Sequence, residues 1–351
     1  MPKNPVFSRV RTGARARGTV YFVYFRRWSV RMLKKISIGA GILLAALALV
    51  FLFLRVPDTD AAAMRAKYAT AASHFVEVEP GLSVHVRDEG NPDGPALLLI
   101  HGSSASLQTW EPWVREFGGA YRILSYDQPG HGLTGPHPRR CYDADCMVAV
   151  AHAVAADAGL RNFVIGGNSM GGWVALHYAM QHPDDLAGMI LVDAAGVAVD
   201  TDTADRRTPI GFRIAAMPGI NRLASAITPR SMIETSLKQT VADPASVTDA
   251  DVDRYWDLLR YPGNRQATLD RFSREREPGA DAATLATIDV PTLVIWGRRD
   301  GLIPVAAATA FDDGLPDSRL VIYDDIGHIP QEEAAARSAA DVRSFLQEIY
   351  P

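Results

Sequence analysis

Five short segments carry side chains suited to chemistry. The richest is Gly167-Asn168-Ser169-Met170-Gly171, which reads G-x-S-x-G between an apolar β-type run and a helix-type run. Its small residues permit a strained strand-to-helix turn. Such a turn lifts the Ser169 hydroxyl clear of a sheet edge and sets the next N–H groups at a helix N-terminus, where developing negative charge is favoured. Ser169 is therefore a candidate nucleophile, although five letters of this kind also arise as a plain glycine-rich turn. A serine nucleophile needs a base within hydrogen-bond reach and a carboxylate to orient that base. Four further motifs end β-type runs, in chain order: His101-Gly102-Ser103-Ser104, Gln128-Pro129-Gly130-His131-Gly132, Gly297-Arg298-Arg299-Asp300 and Gly327-His328.

The elements that must position these residues follow one rhythm. From about Phe75 the chain alternates apolar β-type runs with helix-type runs, the pattern of an α/β fold with a mostly parallel sheet covered on both faces. Strands are predicted at Phe75–Glu79, Ser83–Asp88, Ala96–Ile100, Arg122–Tyr126, Phe163–Gly167, Met189–Val192, Thr292–Trp296 and Arg319–Tyr323, the first two as a hairpin around Pro80-Gly81. Helices are predicted at Trp110–Phe117, Cys146–Ala158, Met170–Gln181 and Ala334–Ile349. Between Gly196 and Ile288 the rhythm stops, and helix-like pieces near Ile220–Ala226, Pro229–Val241, Asp249–Arg260 and Arg265–Arg274 read as a cap over the strand C-termini. Those termini are where open α/β sheets bind ligands. Apolar cap residues such as Met232, Ile233, Leu237, Tyr255 and Leu259 serve either to close the cap on the core or to line an acyl pocket, and the sequence does not divide those roles.

Taken together, HGSSAS, YDQPGHG, GNSMGG, WGRRDGLIP and IGHIPQEE resemble the α/β-hydrolase fold family over about residues 73–351, apart from detail in the cap. The resemblance implies a triad of Ser169 as nucleophile, His328 as base on the loop after the last strand, and Asp300 as acid, in the order this fold uses. Asp193, ending MILVD, is the rival acid. The family's oxyanion hole would come from the backbone N–H groups of Ser103 and Met170. Asp127, His101 and His131 read as loop-shaping residues, the remaining histidines as surface or packing residues, and Trp110, Trp113 and Trp173 as core aromatics. A neutral imidazole is required for the base, so acylation should fail as pH falls below the ordinary histidine value of ~6.5.

Charge divides the chain. Residues 1–57 hold 11 Lys or Arg and no acid, leaving 25 basic and 40 acidic residues in the remainder. A part that acidic is a poor candidate for nucleic-acid binding. The uncharged 19-residue run Ile36–Leu54 is about the length of a bilayer-spanning helix. Basic residues directly before it orient the N-terminus to the cytoplasm. The expected organisation is a basic tail at 1–35, a transmembrane anchor at 36–54, a linker at 55–72, hydrolase core at 73–195 and 289–351, and the cap at 196–288. The catalytic part would stand outside the inner membrane. A signal peptide cleaved near Ala61-Ala62-Ala63, or translation starting at Met32, is the alternative. Cys141 and Cys146 read either as a short-loop disulfide or as two free thiols.

The leading functional expectation is a membrane-anchored serine hydrolase cleaving esters with an apolar acyl group, resembling monoacylglycerol-lipase and carboxylesterase-type members of the family. GNSMGG is also common among hydrolases that cleave C–C bonds in ring-fission products, so that reading stands as the alternative. A third is a ligand-binding protein on a hydrolase scaffold. Nothing in the sequence indicates a metal or organic cofactor, and the expected partners are a small ester or lipid-derived substrate and the membrane.

Overall fold

The computed structural model describes residues 16–199, 213, 217, 219–274 and 277–351. The chain divides into two compact units, Met1–Arg55 and Val56–Pro351. In the first, one helix, α1, runs Ala16–Leu54. The expected 36–54 span is thus the C-terminal half of a longer helix; no proline interrupts 16–54, and Pro57 follows its end. Its stretch Met32–Leu54 is long and apolar enough to cross a membrane. Leu44 and Leu49 there are about two-thirds exposed, at 66% and 67%.

The second unit is built on an eight-stranded sheet in the order β1-β2-β4-β3-β5-β6-β7-β8. The strands are β1 Ser73–Glu79, β2 Leu82–Gly90, β3 Ala96–Ile100, β4 Arg122–Tyr126, β5 Phe163–Asn168, β6 Leu186–Val192, β7 Thr292–Gly297 and β8 Ser318–Tyr323. β2 pairs antiparallel with β1 and β4, and every other neighbour is parallel. Central strands β3, β5, β6 and β7 are almost continuously apolar because both of their faces are covered.

One face packs α4 (Ala144–Asp157), α5 (Met170–Gln181) and a later helix at Ala306–Gly314 against Leu98, Ile165, Leu191 and Trp296. The other packs α3 (Glu111–Phe117) and the C-terminal helix Ala335–Ile349 against Leu97, Val164 and Ile295. Trp110 and Trp113 are fully buried in that second layer. Trp113 Nε1 donates to Ser338 Oγ at 2.9 Å, which satisfies the indole in the core. Trp173 packs against the first layer.

Within 196–288 the longer described helices are α6 Ile220–Ile227, α7 Arg230–Lys238, α8 Asp249–Leu259 and α9 Asn264–Phe272, and a single-turn helix follows at Ala282–Leu285. A reciprocal capping box of Thr248 and Asp251 starts α8.

Residues 55–72, expected as a linker, are instead folded against the cap. Asp60 caps helix α2, Ala61–Tyr68, by accepting from Ala63 N. Thr59 N donates to Arg260 O at 2.9 Å, Tyr68 Oη donates to Asp257 at 2.9 Å, and Arg265 pairs with Asp58 at 2.6 Å. The segment's acids and bases meet complementary charges on α8 and α9. Cys141 and Cys146, left open in the sequence, are joined as a disulfide that ties the segment before α4 to its first turn.

Candidate active site

Strand β5 delivers Ser169 to the N-terminus of α5 with φ 55° and ψ −116°. A left-handed backbone at a non-glycine residue is strained and persists only where the surroundings over-determine it. Here Ser169 N donates to Val192 O at 3.0 Å, while Ser169 O accepts from Trp173 N at 3.2 Å and Ala195 N at 3.0 Å. The glycines permit the close approach. A Cβ on Gly171 would lie 2.0 Å from Ile100 O. A Cβ on Gly102 would lie 2.9 Å from Asn168 Oδ1 and 3.2 Å from Ser169 Cβ. The loop after β3 therefore rests directly on the serine turn. Among the described residues, the amides of Ser103 and Met170 enter no backbone hydrogen bond, so both donors remain available.

His328 stands on the loop after β8. Its Nδ1 meets Asp300 Oδ2 at 2.6 Å, while Asp300 Oδ1 accepts from Leu302 N at 2.7 Å and Ile303 N at 3.2 Å. That network assigns the Nδ1–H tautomer and leaves Nε2 as an acceptor. Three residues whose role the motifs alone did not reveal, Thr240, Asn168 and Glu333, hold the loop. His328 N donates to Thr240 O of the cap at 2.8 Å. Asn168 Nδ2 donates to His328 O at 3.0 Å and Val192 O at 3.1 Å, tying the serine turn to the histidine loop. Glu333 accepts from Gly327 N at 3.1 Å, Ile329 N at 3.3 Å and Ala242 N at 2.7 Å. Ser169 and His328 line the same cavity but are not hydrogen-bonded to each other; nucleophile–base contacts commonly tighten only when substrate binds.

Asp193 lies close to this pair. One ligand-type atom from each of Asp193, Asp300 and His328 falls within 4.8 Å of the others. Asp193 is fully buried with φ 42°, and its Oδ1 accepts from Gly297 N at 3.0 Å. Burial, and then the Asp300 charge, push its carboxyl well above the ordinary range. The carboxylate that meets the imidazole is that of Asp300, whereas Asp193 is held by the Gly297 amide.

The shared cavity has a volume of about 130 Å³. Met232, Ile233, Leu237, Tyr255 and Leu259 from the cap form much of its wall, opposite Gly102, Ser103, Ser169 and His328. Those cap side chains thus line the site, whereas Val252 is buried within the cap's own packing and Leu258 packs against Leu133, Met64 and Phe75 outside the cap. Arg271 on α9 is a further residue that the motifs did not flag. Its Nη1 donates to Ser103 Oγ at 3.0 Å and approaches Met170 Sδ at 2.8 Å. Burial pushes the Arg271 guanidinium down to about 10, so it stays cationic at neutral pH.

The loop-shaping residues form their own networks. His101 Nδ1 donates to Gly102 O at 2.7 Å, and its Nε2 accepts from Gln128 N at 3.0 Å. Burial lowers the pKa of His101 and drives that of His131 well below the ordinary value. Asp127 accepts from Leu107 N at 2.9 Å and Leu133 N at 2.8 Å, and meets His85 Nδ1 at 2.7 Å. His85 Nε2 in turn meets Ser73 Oγ at 2.8 Å. His85, read from sequence as surface or packing, is thus a buried link in a second Ser–His–Asp arrangement.

The chain is similar to several known hydrolases. A 2-hydroxy-6-oxononadienedioate/2-hydroxy-6-oxononatrienedioate hydrolase from Pseudomonas sp. is 26% identical over 291 residues, covering 81% of this chain and 99% of that protein. Lipase 1 of Psychrobacter immobilis is 24% identical over 279 residues, covering 74% and 78%. Among solved structures, a membrane phospholipase A described as a bacterial virulence factor superposes with a TM-score of 0.67 at 23% identity, covering 92% of this chain and 99% of that one. Residues 95–335 match the alpha/beta hydrolase fold family, and the chain belongs to that family.

Proposed function

We propose that this protein is a membrane-anchored serine hydrolase that cleaves carboxylic esters carrying an apolar acyl group. The observation that carries the proposal is the shared cavity: Ser169 and His328 lie at one wall and apolar cap side chains form the other. In this reading Ser169 Oγ attacks the scissile carbonyl while His328 Nε2 takes its proton. Asp300 orients and stabilises the imidazolium, and the Ser103 and Met170 amides bind the oxyanion. The alcohol departs with the proton from His328, and water then repeats the sequence on the acyl-enzyme. Met232, Ile233 and Leu237 would hold the acyl chain. Helix α1, preceded by basic residues, would place the site on the outer side of the membrane. The likeness to a lipase and to a membrane phospholipase A supports an ester substrate from lipid.

A second reading, hydrolysis of a C–C bond in a ring-fission product, is favoured by the relative that acts on 2-hydroxy-6-oxononadienedioate. Purified protein assayed on p-nitrophenyl esters of increasing acyl length, monoacylglycerol and a vinylogous diketone acid separates the two. The ester reading expects turnover of medium or long acyl esters and little of the diketone acid. The reverse order would replace it with the C–C reading.

A further inference from the structure

We propose that Arg271 supplies an uncompensated positive charge that stabilises the oxyanion formed when Ser169 attacks the scissile carbonyl. The inference rests on the serine-hydrolase reading above. Arg271 belongs to cap helix α9, yet its guanidinium reaches the core loop and the serine turn, contacting the side chains of Ser103 and Met170. Those are the two residues whose amides are assigned to the oxyanion. Its Nε and Nη2 are closed off from solvent and have no hydrogen-bond partner among the described residues.

A buried cation without a counter-ion is unfavourable, and such groups usually pair or reach water. Neighbouring cap arginines do pair: Arg254 meets Glu332 at 2.9 Å and Arg265 meets Asp58 at 2.6 Å. Arg271 does not. The imidazoles beside it offer no compensation and no competing charge, because burial, with the Arg271 charge adding to it, holds His101 and His131 neutral.

The reaction supplies the missing charge for a moment. As the Ser169 Oγ–carbon bond forms, the hydroxyl proton passes to His328 Nε2 and the carbonyl π pair moves onto oxygen. When the intermediate collapses, that pair re-forms the C=O bond, the C–O bond to the alcohol breaks, and the leaving oxygen takes the proton back from His328. Negative charge on the oxygen exists only between these events. A fixed cation in closed, low-dielectric surroundings favours that state without reorganising. The neutral ground-state carbonyl gains little from it, so the contribution falls on kcat rather than KM.

The test uses the full chain as wild type, Arg271→Met and Arg271→Lys. Substrate is a p-nitrophenyl ester with a neutral acyl chain. Two inhibitors of the same chain length are compared: an alkylboronic acid, which binds a serine nucleophile as a tetrahedral anion, and a neutral alkyl amide. Arg271→Met is expected to lower kcat about 10- to 100-fold, somewhat less than loss of a direct oxyanion donor. KM should stay within about twofold. Boronate affinity should fall with kcat while amide affinity stays. Arg271→Lys, which keeps a charge on a similar stem, should recover most of the loss.

Equal weakening of boronate and amide would overturn the proposal in favour of a purely structural cap latch. So would an effect confined to KM for negatively charged esters, which would make Arg271 an anchor for anionic substrates. If Arg271→Met does not fold, Arg271→Lys decides: a folded lysine variant with kcat reduced beyond about 10-fold contradicts a role for charge. Absence of any ester turnover in wild type would fall instead on the serine-hydrolase reading.

Discussion

Ser73, His85 and Asp127 form an unbroken hydrogen-bonded chain, at 2.8 Å from serine to histidine and 2.7 Å from histidine to aspartate. Ser169, His328 and Asp300 have the histidine–aspartate bond, at 2.6 Å, but no serine–histidine bond. By connectivity alone the first grouping is the better relay. Its surroundings point elsewhere. Ser73 lies in regular strand β1 opposite Arg87, its Oγ also accepts from Thr70 N at 3.0 Å, and none of the three residues lines the cavity that Ser169 and His328 share. Ser169 has a left-handed backbone, two unused amides beside it and a cavity in front. A polar network whose bonds are all made is a means of holding loops in place. A site that must act on a substrate needs strain, open donors and space.

The predictions set the two groupings against each other. Ser169→Ala should abolish ester hydrolysis by about 10⁵-fold or more in kcat, with the melting temperature little changed. The acids follow. Asp300→Asn should cost about 10⁴-fold in kcat while the protein stays folded, because the imidazole loses its orienting charge. Asp127→Asn should reverse that pattern, costing about 3 kcal/mol of stability in urea unfolding and little kcat per folded molecule. A D127N protein of normal stability and lost activity would erase the distinction drawn between the two groupings.

Ser73→Ala should be milder still, at about 1 kcal/mol of stability with kcat within about threefold of wild type.

The smallest effect concerns Asp193. Its raised pKa means that the folded protein binds this proton more tightly than the unfolded chain does. Stability is therefore present at low pH and lost as pH rises from the ordinary carboxyl range through the raised value. Asp193→Asn, permanently neutral, should remove that slope. Melting curves across pH should show the variant matching wild type under acid conditions and exceeding it on the alkaline side, with ester hydrolysis retained. Loss of activity in D193N comparable to D300N would return Asp193 to the position of catalytic acid.

Much of the fold could be read from residue patterns. Ala96–Ile100, Arg122–Tyr126 and Met170–Gln181 occupy the residues expected of them, because a run buried on both faces, or a helix opened by a glycine turn, leaves a local signature. Ser169 and His328 stand out because each follows a strand at the end where ligands bind, and Asp300, rather than Asp193, because WGRRDGLIP resembles the family's acid loop. The supporting residues left no such trace. Glu333 in PQEE has nothing local to show its three amide partners, and Arg271 in RFSRER nothing to show that its guanidinium is closed off from solvent against Ser103 and Met170 of the core. His85 lies in a strand whose alternation says nothing of Asp127, 42 residues further on. These roles depend on contacts between distant segments, which periodicity does not encode. The 55–72 segment misled for the same reason: its helix is short, and its charges find their partners on the cap.

The most direct measurement is active-site labelling with a fluorophosphonate probe, followed by mass spectrometry of the modified peptide. The account predicts one adduct, on Ser169, in wild type and in Ser73→Ala alike, and none in Ser169→Ala. An adduct on Ser73, or undiminished labelling of the Ser169→Ala protein, would contradict it.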